Sequence, residues 1–357
     1  MKSQPVESQK GEIEFRRRLY LKQVEGSPIL HDEFDAAGIE EILQERMNKT
    51  FEQVTLLRGK GIPLSPYLEI GAERCQRALV MENDLGLEGA AVDISYDMLK
   101  SCDHYRDVFK RARSPMRVCC DANNLPFMSG SYPFVFCYET LHHFPDPAAI
   151  IKEAFRVLSP GGHFFFDEEP YKQLLHLNLY KGKKVYSKDF LRRSAPRRIL
   201  DRFFCARSCN EVEYGIIENH SIAIGSWKRA LMPFDEKDVE LQVAGIIRSK
   251  LFHPKSLIAH FAAYLLGGSI SGICRKRGNS MGGESSICNS LICPSCRLGG
   301  TEVALNRGSG AFSCVTCSKT YPVVDGVLFL LAYDKLIELY PQIFESFVKH
   351  DSSRWRE

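Results

Sequence analysis

The sequence lacks the features that mark several classes of protein. Its 47 lysines and arginines are nearly matched by 44 aspartates and glutamates, so the net charge of the 357-residue chain is only +3. A dedicated nucleic-acid-binding protein is usually far more basic. The mean hydropathy of −0.20 excludes a polytopic membrane protein. Residues 1–7 contain no apolar run, so we expect no secretory signal. An ordinary globular chain remains, long enough for two domains.

Long hydrophobic runs are also scarce. One extended uncharged stretch covers residues 257–273, and it contains His260 and two adjacent glycines. It is slightly short for a membrane-spanning helix and too polar at its centre. We therefore predict a buried element here and no membrane span.

The cysteines do not suggest a disulfide framework. There are 13 of them, an odd number, in a chain without a predicted export signal. This favours a reducing cytoplasm, with most of the scattered cysteines acting as small buried apolar residues. Four cysteines form two CxxC pairs near the C-terminus, and these call for a separate explanation.

The order of apolar segments predicts an α/β fold. After a helical segment, short apolar runs alternate with amphipathic helices, and the residues at the ends of these runs include Gly71, Asp93, Asp121, Glu139 and Asp167. This alternation is typical of a parallel, doubly wound Rossmann-like sheet, which binds ligands at the carboxyl ends of its strands.

The predicted parts of the chain are a helical segment (1–60), the α/β domain (61–277) with a substrate-shaping region (171–256), a linker (278–287), a small cysteine module (288–332) and a C-terminal helix (333–357).

A nucleotide-type site is predicted at the first two strands. Gly71 lies in the turn after the first strand, and Asp93 follows the second strand 22 residues later, the spacing of one βαβ unit. The dinucleotide motif GxGxxG is absent, because Glu73 stands where its second glycine would be. A carboxylate about 4 Å from a pyrophosphate would cost roughly 4 kcal/mol at an effective dielectric constant of about 20. We therefore expect a positively charged adenosine-bearing ligand.

Four segments resemble the class I S-adenosylmethionine-dependent methyltransferases, in the branch of the ubiquinone and menaquinone methyltransferases. They are 68–72 (LEIGA), 92–99 (VDIS followed by ML), 120–131 and 141–162. The resemblance covers about residues 65–167. It implies S-adenosylmethionine as the cofactor, bound by Glu69, Gly71, Ala72, Asp93, Ile94, Asp121, Ala122 and Tyr138.

The resemblance also implies a role for most of these residues. Glu69 would lie near the methionine ammonium, Asp93 would accept hydrogen bonds from the ribose hydroxyls, and Asp121 would accept one from the adenine amine. A simpler explanation for both aspartates is that they cap strand ends. Glu73 and Cys75 depart from the small residues of the family motif, so Glu73 would point to solvent or meet the cofactor ammonium.

Methyl transfer needs a base only when the acceptor arrives protonated, as hydroxyls do. The predicted catalytic candidates are Glu139, His142 and His143, and Asp167 and Glu168 lie nearby. The histidines could instead form a loop common to the family, and the acidic residues 167–169 could be a solvated charge run.

The sequence narrows the chemical class of the methyl acceptor. The (Asp/Asn)-Pro-Pro-aromatic motif of amide methyltransferases is missing, because residues 137–140 read CYET. This favours methylation of a hydroxyl or a carbon in a small-molecule or glycan-type acceptor. Basic clusters in residues 181–202 would receive an anionic substrate or form a solvated helix face. The alternatives are an RNA- or protein-modifying methyltransferase, with nucleic acid as a less favoured partner, and a catalytically silent scaffold.

The two CxxC pairs have the spacing of a structural Zn²⁺ site. They are Cys293 with Cys296 and Cys314 with Cys317, separated by 17 residues, and four thiolates give a closed tetrahedral site. An unmetallated remnant is the alternative. Residues 291–331 resemble the small zinc ribbons that activate RNA- and protein-modifying methyltransferases. The resemblance implies that the ribbon docks on, and stabilises, the methyltransferase domain of its own chain.

Overall fold

The computed structural model describes residues 6–26, 36–172, 222–243, 247–279, 287–308 and 310–354. The basic clusters at 181–202 and most of the predicted linker at 278–287 lie outside these residues.

The described strands form one twelve-stranded sheet in the order β7-β6-β8-β5-β4-β1-β2-β3-β12-β11-β10-β9. The strands are β1 (Tyr67–Ile70), β2 (Gly89–Asp93), β3 (Met116–Cys119), β4 (Tyr132–Tyr138), β5 (Leu158–Tyr171), β6 (Glu236–Val243), β7 (Ile247–Lys250), β8 (Gly268–Arg275), β9 (Leu305–Arg307), β10 (Ala311–Cys314), β11 (Thr320–Val324) and β12 (Val327–Phe329). The helices are α1 (Val6–Val24), α2 (Ala36–Gly59), α3 (Gln76–Asn83), α4 (Tyr96–Lys100), α5 (Cys102–Val108), α6 (Pro147–Val157), α7 (Ile224–Ala230), α8 (Leu257–Leu266), α9 (Pro294–Leu298), α10 (Tyr333–Leu339) and α11 (Pro341–Arg354).

The centre of the sheet is parallel and buried on both faces. Strands β5, β4, β1, β2 and β3 run in the same direction, and every residue of β1 is buried. Helices cover both faces of such a sheet, which explains why its strands read as continuous apolar runs in the sequence. The predicted doubly wound α/β fold is confirmed, and the N-terminal segment is helical as expected.

The strand order places the candidate site. From β1 the chain proceeds to β2 and β3 on one side, whereas β4 and β5 lie on the other side. The connections leaving β1 and β4 therefore diverge and open a crevice at their carboxyl ends. Gly71 follows β1 and Glu139 follows β4, so both residues lie at this crevice.

Antiparallel strands extend the β5 side. Strand β8 pairs with β5 on one side and with β6 on the other, and β7 occupies the edge of the sheet. The prediction of a buried element at 257–273 is wrong for α8. Its side chains Leu257, Ile258 and Phe261 are 64–84% exposed. The helix packs on the β6–β7 hairpin through a narrow side that includes the buried Ala263.

Among the described residues, no helix combines the length and hydrophobicity needed to cross a bilayer.

The cysteine module continues the main sheet. Strand β12 pairs in parallel with β3, with Leu328 opposite Val118, and Leu291 forms an isolated bridge with Phe127. Polar contacts reinforce this seam, because Glu302 accepts hydrogen bonds from Ser129 and from Arg156. Through this pairing the cysteine module shares one hydrogen-bonded sheet with the α/β domain.

The C-terminal segment forms two helices instead of the single predicted helix. Helix α10 ends at Leu339, and α11 begins at Pro341. Tyr340 between them has φ −134° and ψ 56°, outside the helical region. The cause is local, since proline lacks an N–H and disfavours helical geometry in the preceding residue.

Candidate active site

A cleft of about 280 Å³ opens at the carboxyl ends of β1, β2 and β4. Helices α1 and α2 form its outer wall through residues that include Glu12, Arg16 and Arg46. It brings together nine of the eleven predicted cofactor and catalytic residues, namely Gly71, Asp93, Ile94, Asp121, Ala122, Tyr138, Glu139, His142 and His143. Glu69 and Ala72 are buried and do not line this cleft.

Gly71 lies where no side chain would fit. Its φ is +73°, and a Cβ atom here would stand 2.4 Å from the Oγ1 atom of Thr140. Its N–H and that of Ala72 both donate to the carbonyl of Val92, at 2.9 and 3.0 Å. The turn after β1 is therefore packed closely against the ends of β2 and β4.

The residues that depart from the family motif keep a glycine-like backbone. Glu73 has φ 49° and Cys75 has φ 60°, the left-handed region that glycine adopts at little cost. The chain therefore retains the turn at some cost in backbone strain. Sequence reasoning identified the unusual residues but not their conformation.

Glu73 neither points to solvent nor remains unpaired. Its carboxylate contacts Arg74 and lies 3.3 Å from the Arg16 guanidinium and 3.2 Å from that of Arg46. Burial alone would raise the pKa of Glu73, but these guanidiniums lower it to about 2. Because the arginines offset its charge, the electrostatic argument against a pyrophosphate ligand loses its main support.

Asp93 is fixed by two backbone donors. Its Oδ1 accepts from the N–H of Ser95 at 2.8 Å, and its Oδ2 accepts from the N–H of Glu73 at 2.9 Å. Burial raises the pKa of Asp93 to about 6. The carboxylate thus caps the strand end, and since a carboxylate has about four acceptor positions, it keeps capacity for hydroxyl donors from a ligand.

Asp121 is fixed in a similar way at the end of β3. Its Oδ1 accepts from the backbone and side-chain nitrogens of Asn123, both at 2.9 Å, and its Oδ2 pairs with Lys335 of α10. Burial alone would raise the pKa of Asp121, but the Lys335 ammonium and the Asn123 donors lower it. No sequence signal connects Lys335 with a residue more than 200 positions earlier.

Glu69 is a residue of β1, just before the turn that contains Gly71. It is 2% exposed, and burial raises its pKa to about 8. Its Oε2 atom has no hydrogen-bond partner among the described residues. The expected contact with a methionine ammonium stays a prediction.

A fully buried carboxylate holds His142. Glu169 accepts hydrogen bonds from the backbone N–H groups of Thr140, Leu141 and His142, at 2.7, 2.9 and 3.1 Å. Its Oε2 also lies 3.0 Å from His142 Nδ1. We assign the ring proton to Nδ1, because a carboxylate can only accept, and Nε2 is then the basic nitrogen of this cleft residue.

The other candidate bases have different surroundings. The ring centroids of His143 and His142 are 4.4 Å apart. The Glu139 carboxylate accepts a hydrogen bond from the Arg46 guanidinium at 3.0 Å. Asp167 and Glu168 both contact Lys49 of α2 at 2.7 Å and do not line the cleft. The interpretation of residues 167–169 as a solvated run is wrong for Asp167 and Glu169, which are both buried.

Comparison with known proteins agrees with this geometry. Residues 68–166 match the family model described as a methyltransferase domain. This part of the chain is a methyltransferase domain. An uncharacterized chloroplastic methyltransferase of Arabidopsis thaliana is 36% identical over 91 residues, 24% of this chain and 25% of that protein. The 27-O-demethylrifamycin SV methyltransferase of Amycolatopsis mediterranei is 29% identical over 149 residues, 40% of this chain and 51% of that protein.

Other similarities are shorter or more distant. The ubiquinone biosynthesis O-methyltransferase of Acinetobacter baylyi is 50% identical over 38 residues, 11% of this chain and 16% of that protein. The chain thus matches at most about half the length of these curated relatives. Among solved structures, the complex of the Haloferax volcanii Trm112 methyltransferase activator with a methyltransferase has a TM-score of 0.39 at 14% identity, covering 72% of this chain and 97% of that one. A Pyrococcus horikoshii protein has a TM-score of 0.40 at 16% identity, covering 66% and 91%.

Beside the methyltransferase domain, the four predicted metal-binding cysteines converge. The Sγ atoms of Cys293, Cys296, Cys314 and Cys317 all lie within 4.8 Å of one another. Two of the sulfur–sulfur distances are 3.5 and 3.7 Å. Four thiolates at about 2.3 Å from a tetrahedral Zn²⁺ would be about 3.8 Å apart. The donor set and its spacing therefore fit this metal.

Proposed function

We propose that this protein is a methyltransferase that transfers the methyl group of S-adenosylmethionine to a hydroxyl or a carbon of a small-molecule or glycan-type acceptor. The observation that carries the proposal is one cleft in which Asp93 and Asp121 lie with a histidine oriented by Glu169. The carboxylates suit an adenosine-bearing cation, and the histidine suits an acceptor that must lose a proton.

We assign each part of the donor to residues that line the cleft. Asp93 would accept hydrogen bonds from the ribose hydroxyls, and Asp121 would accept one from the adenine amine. Ile94 and Ala122 would lie beside the adenine ring. Tyr138 would lie toward the methionine end, where its ring stacks under the Arg77 guanidinium at 3.8 Å. The bound donor supplies an electrophilic methyl group on a sulfonium.

The acceptor step uses His142. His142 Nε2 would take the proton of an acceptor hydroxyl while that oxygen displaces the methyl group from the sulfonium, and S-adenosylhomocysteine would leave. The imidazolium that forms is stabilised by the Glu169 carboxylate on its opposite nitrogen, as in other carboxylate-oriented bases. The same base could remove a proton from an acidic carbon.

We propose a structural role for Zn²⁺ at the four cysteines. The site is closed by four protein ligands and so has no position for a substrate. Its metal would hold the ribbon strands that pair with β3, which makes the ribbon an intramolecular stabiliser of the methyltransferase domain. The buried free thiols elsewhere, such as Cys75 and Cys137, support a reducing cytoplasmic setting.

A turnover assay tests the proposal. The full, zinc-loaded chain is incubated with methyl-labelled donor and fractionated cell extract, and His142→Gln serves as the matched control. The proposal predicts a low-molecular-weight or glycan product whose mass increases by one CH₂ and whose formation depends on His142. Label found only in RNA or protein would favour the alternative acceptor classes. Absence of donor binding would favour the silent scaffold.

A further inference from the structure

The segment after the zinc ribbon contacts both loops that would hold the adenosine of the donor. Lys335 on α10 pairs with Asp121 and also donates to Gln9 of α1 at 3.2 Å. Tyr340, which follows α10, donates its hydroxyl hydrogen to the carbonyl of Ile94 at 2.6 Å and accepts from the N–H of Tyr96 at 3.0 Å.

We propose that Lys335 and Tyr340 are positioning residues of the donor site, so that α10 and the residue after it complete the subsite for the adenosine. The inference rests on the proposed function, because it assumes that Asp121 receives the adenine amine. It adds residues that lie outside the matched methyltransferase domain, which ends at residue 166.

Lys335 occupies one of the few hydrogen-bond acceptor positions of the Asp121 carboxylate. A carboxylate offers about four acceptor positions. The backbone and side-chain nitrogens of Asn123 take two of them, and Lys335 takes a third. One position is left, and because three donors fix the carboxylate, its direction is set before a ligand arrives. The ammonium also favours the ionised carboxylate, which accepts a stronger hydrogen bond from the adenine amine than a neutral group would.

Tyr340 acts on the neighbouring loop. Its side chain is 8% exposed, and its ring contacts Phe329 of β12 edge-on with centroids 5.3 Å apart. Its hydroxyl group bridges the backbone of Ile94 and Tyr96, directly after Asp93. The hydroxyl therefore ties the ribose-side loop to the ribbon strand that pairs with β3.

The experiment measures the affinity of the full, zinc-loaded chain for S-adenosylhomocysteine and for its deaminated analogue, which carries hypoxanthine. Lys335→Met should weaken S-adenosylhomocysteine binding about tenfold or more and reduce the preference for adenine over hypoxanthine. Lys335→Arg should restore part of both. Tyr340→Phe should weaken both ligands by a similar factor, because it loosens the ribose side and leaves Asp121 in place.

Two variants that remove other contacts of α10 are the controls. Lys10→Met removes an exposed ion pair between α1 and α10, with Glu338 at 3.0 Å, and Tyr333→Phe removes a hydroxyl that donates to Thr320. Both should bind S-adenosylhomocysteine as the wild type does. Unchanged binding by Lys335→Met would overturn the proposal. Equal losses of the two ligands in Lys335→Met would also overturn it, because they would indicate a merely structural role for Lys335. A wild-type chain that does not bind S-adenosylhomocysteine would instead refute the proposed function itself.

Discussion

His142 Nδ1 lies 3.0 Å from Oε2 of Glu169, a carboxylate with no solvent exposure. The same carboxylate accepts three backbone N–H groups from residues 140–142. One buried acid therefore shapes the loop after β4 and also sets the orientation of the imidazole. A side chain held in this way resembles the base–orienter pair of enzymes that activate a nucleophile.

His142→Gln should lower kcat by about a hundredfold or more, because a general base contributes roughly 10²- to 10⁴-fold. The affinity for S-adenosylhomocysteine should stay within about twofold, since that ligand has no contact with the transferred proton. His143→Gln is the matched control, and we expect a loss below about tenfold. The reverse order of the two losses would assign the base to His143.

Glu169→Gln should reduce both activity and stability. The neutral amide accepts at only one atom, so some donors of the 140–142 loop lose their partner, at about 1–3 kcal/mol for each unsatisfied buried group. The double variant with His142→Gln should be no less active than His142→Gln alone, because both changes disable the same base. Additive losses in kcat would contradict this pairing.

Gly71→Ala tests the tight turn. The variant combines a left-handed φ with a Cβ atom 2.4 Å from Thr140 Oγ1, so we expect destabilisation of about 1–3 kcal/mol and weaker donor binding. Gly86→Ala is the control, because its φ is +66° but nothing lies within 4 Å of the added atom. Gly86→Ala should show only the smaller backbone cost in chemical denaturation. Equal losses would mean that the contact with Thr140 is unimportant.

Cys293→Ser should lower the melting temperature of the whole chain. The reason is that the four-cysteine site holds strands that continue the sheet through β12 and β3. Cys288→Ser is the control, since Cys288 lies outside the cluster. Zinc content should be one ion per chain in the wild type and should fall in Cys293→Ser. Unchanged melting despite metal loss would remove the stabilising role.

Donor affinity should depend on pH through Asp93. Burial raises the pKa of this carboxyl to about 6, while the Arg16 guanidinium acts to lower this pKa and the Glu12 carboxylate to raise it. Hydrogen bonds from ribose hydroxyls favour the ionised form, so binding should weaken as the pH falls through about 6, approaching about tenfold per pH unit. Asp93→Asn should bind weakly and lose this dependence. The raised pKa has the opposite effect on folding. Because Asp93 is harder to ionise in the folded chain than in the unfolded chain, the stability of the fold decreases as the pH rises from about 4 to about 6.

The sequence located the strand-end residues because their signals are local. Gly71, Asp93 and Asp121 each end a short apolar run, and parallel strands bring such ends together. Glu169 looked like part of an exposed acidic run, since its burial depends on the loop from another strand. Lys335 reaches Asp121 only because the cysteine module joins the sheet beside β3, and no local pattern encodes that contact. Helix α8 shows the same limit, because its lack of charge predicted burial where the fold supplies a neighbour on only one side.

Calorimetric titration of the full, zinc-loaded chain with S-adenosylhomocysteine tests the central claim most directly. We predict one site per chain with micromolar affinity, and a loss of about a hundredfold in Asp93→Ala, which removes two charge-assisted hydrogen bonds worth about 1.5 kcal/mol each. Wild-type protein that does not bind the ligand, or an Asp93→Ala variant that binds it as tightly as the wild type, would contradict the account.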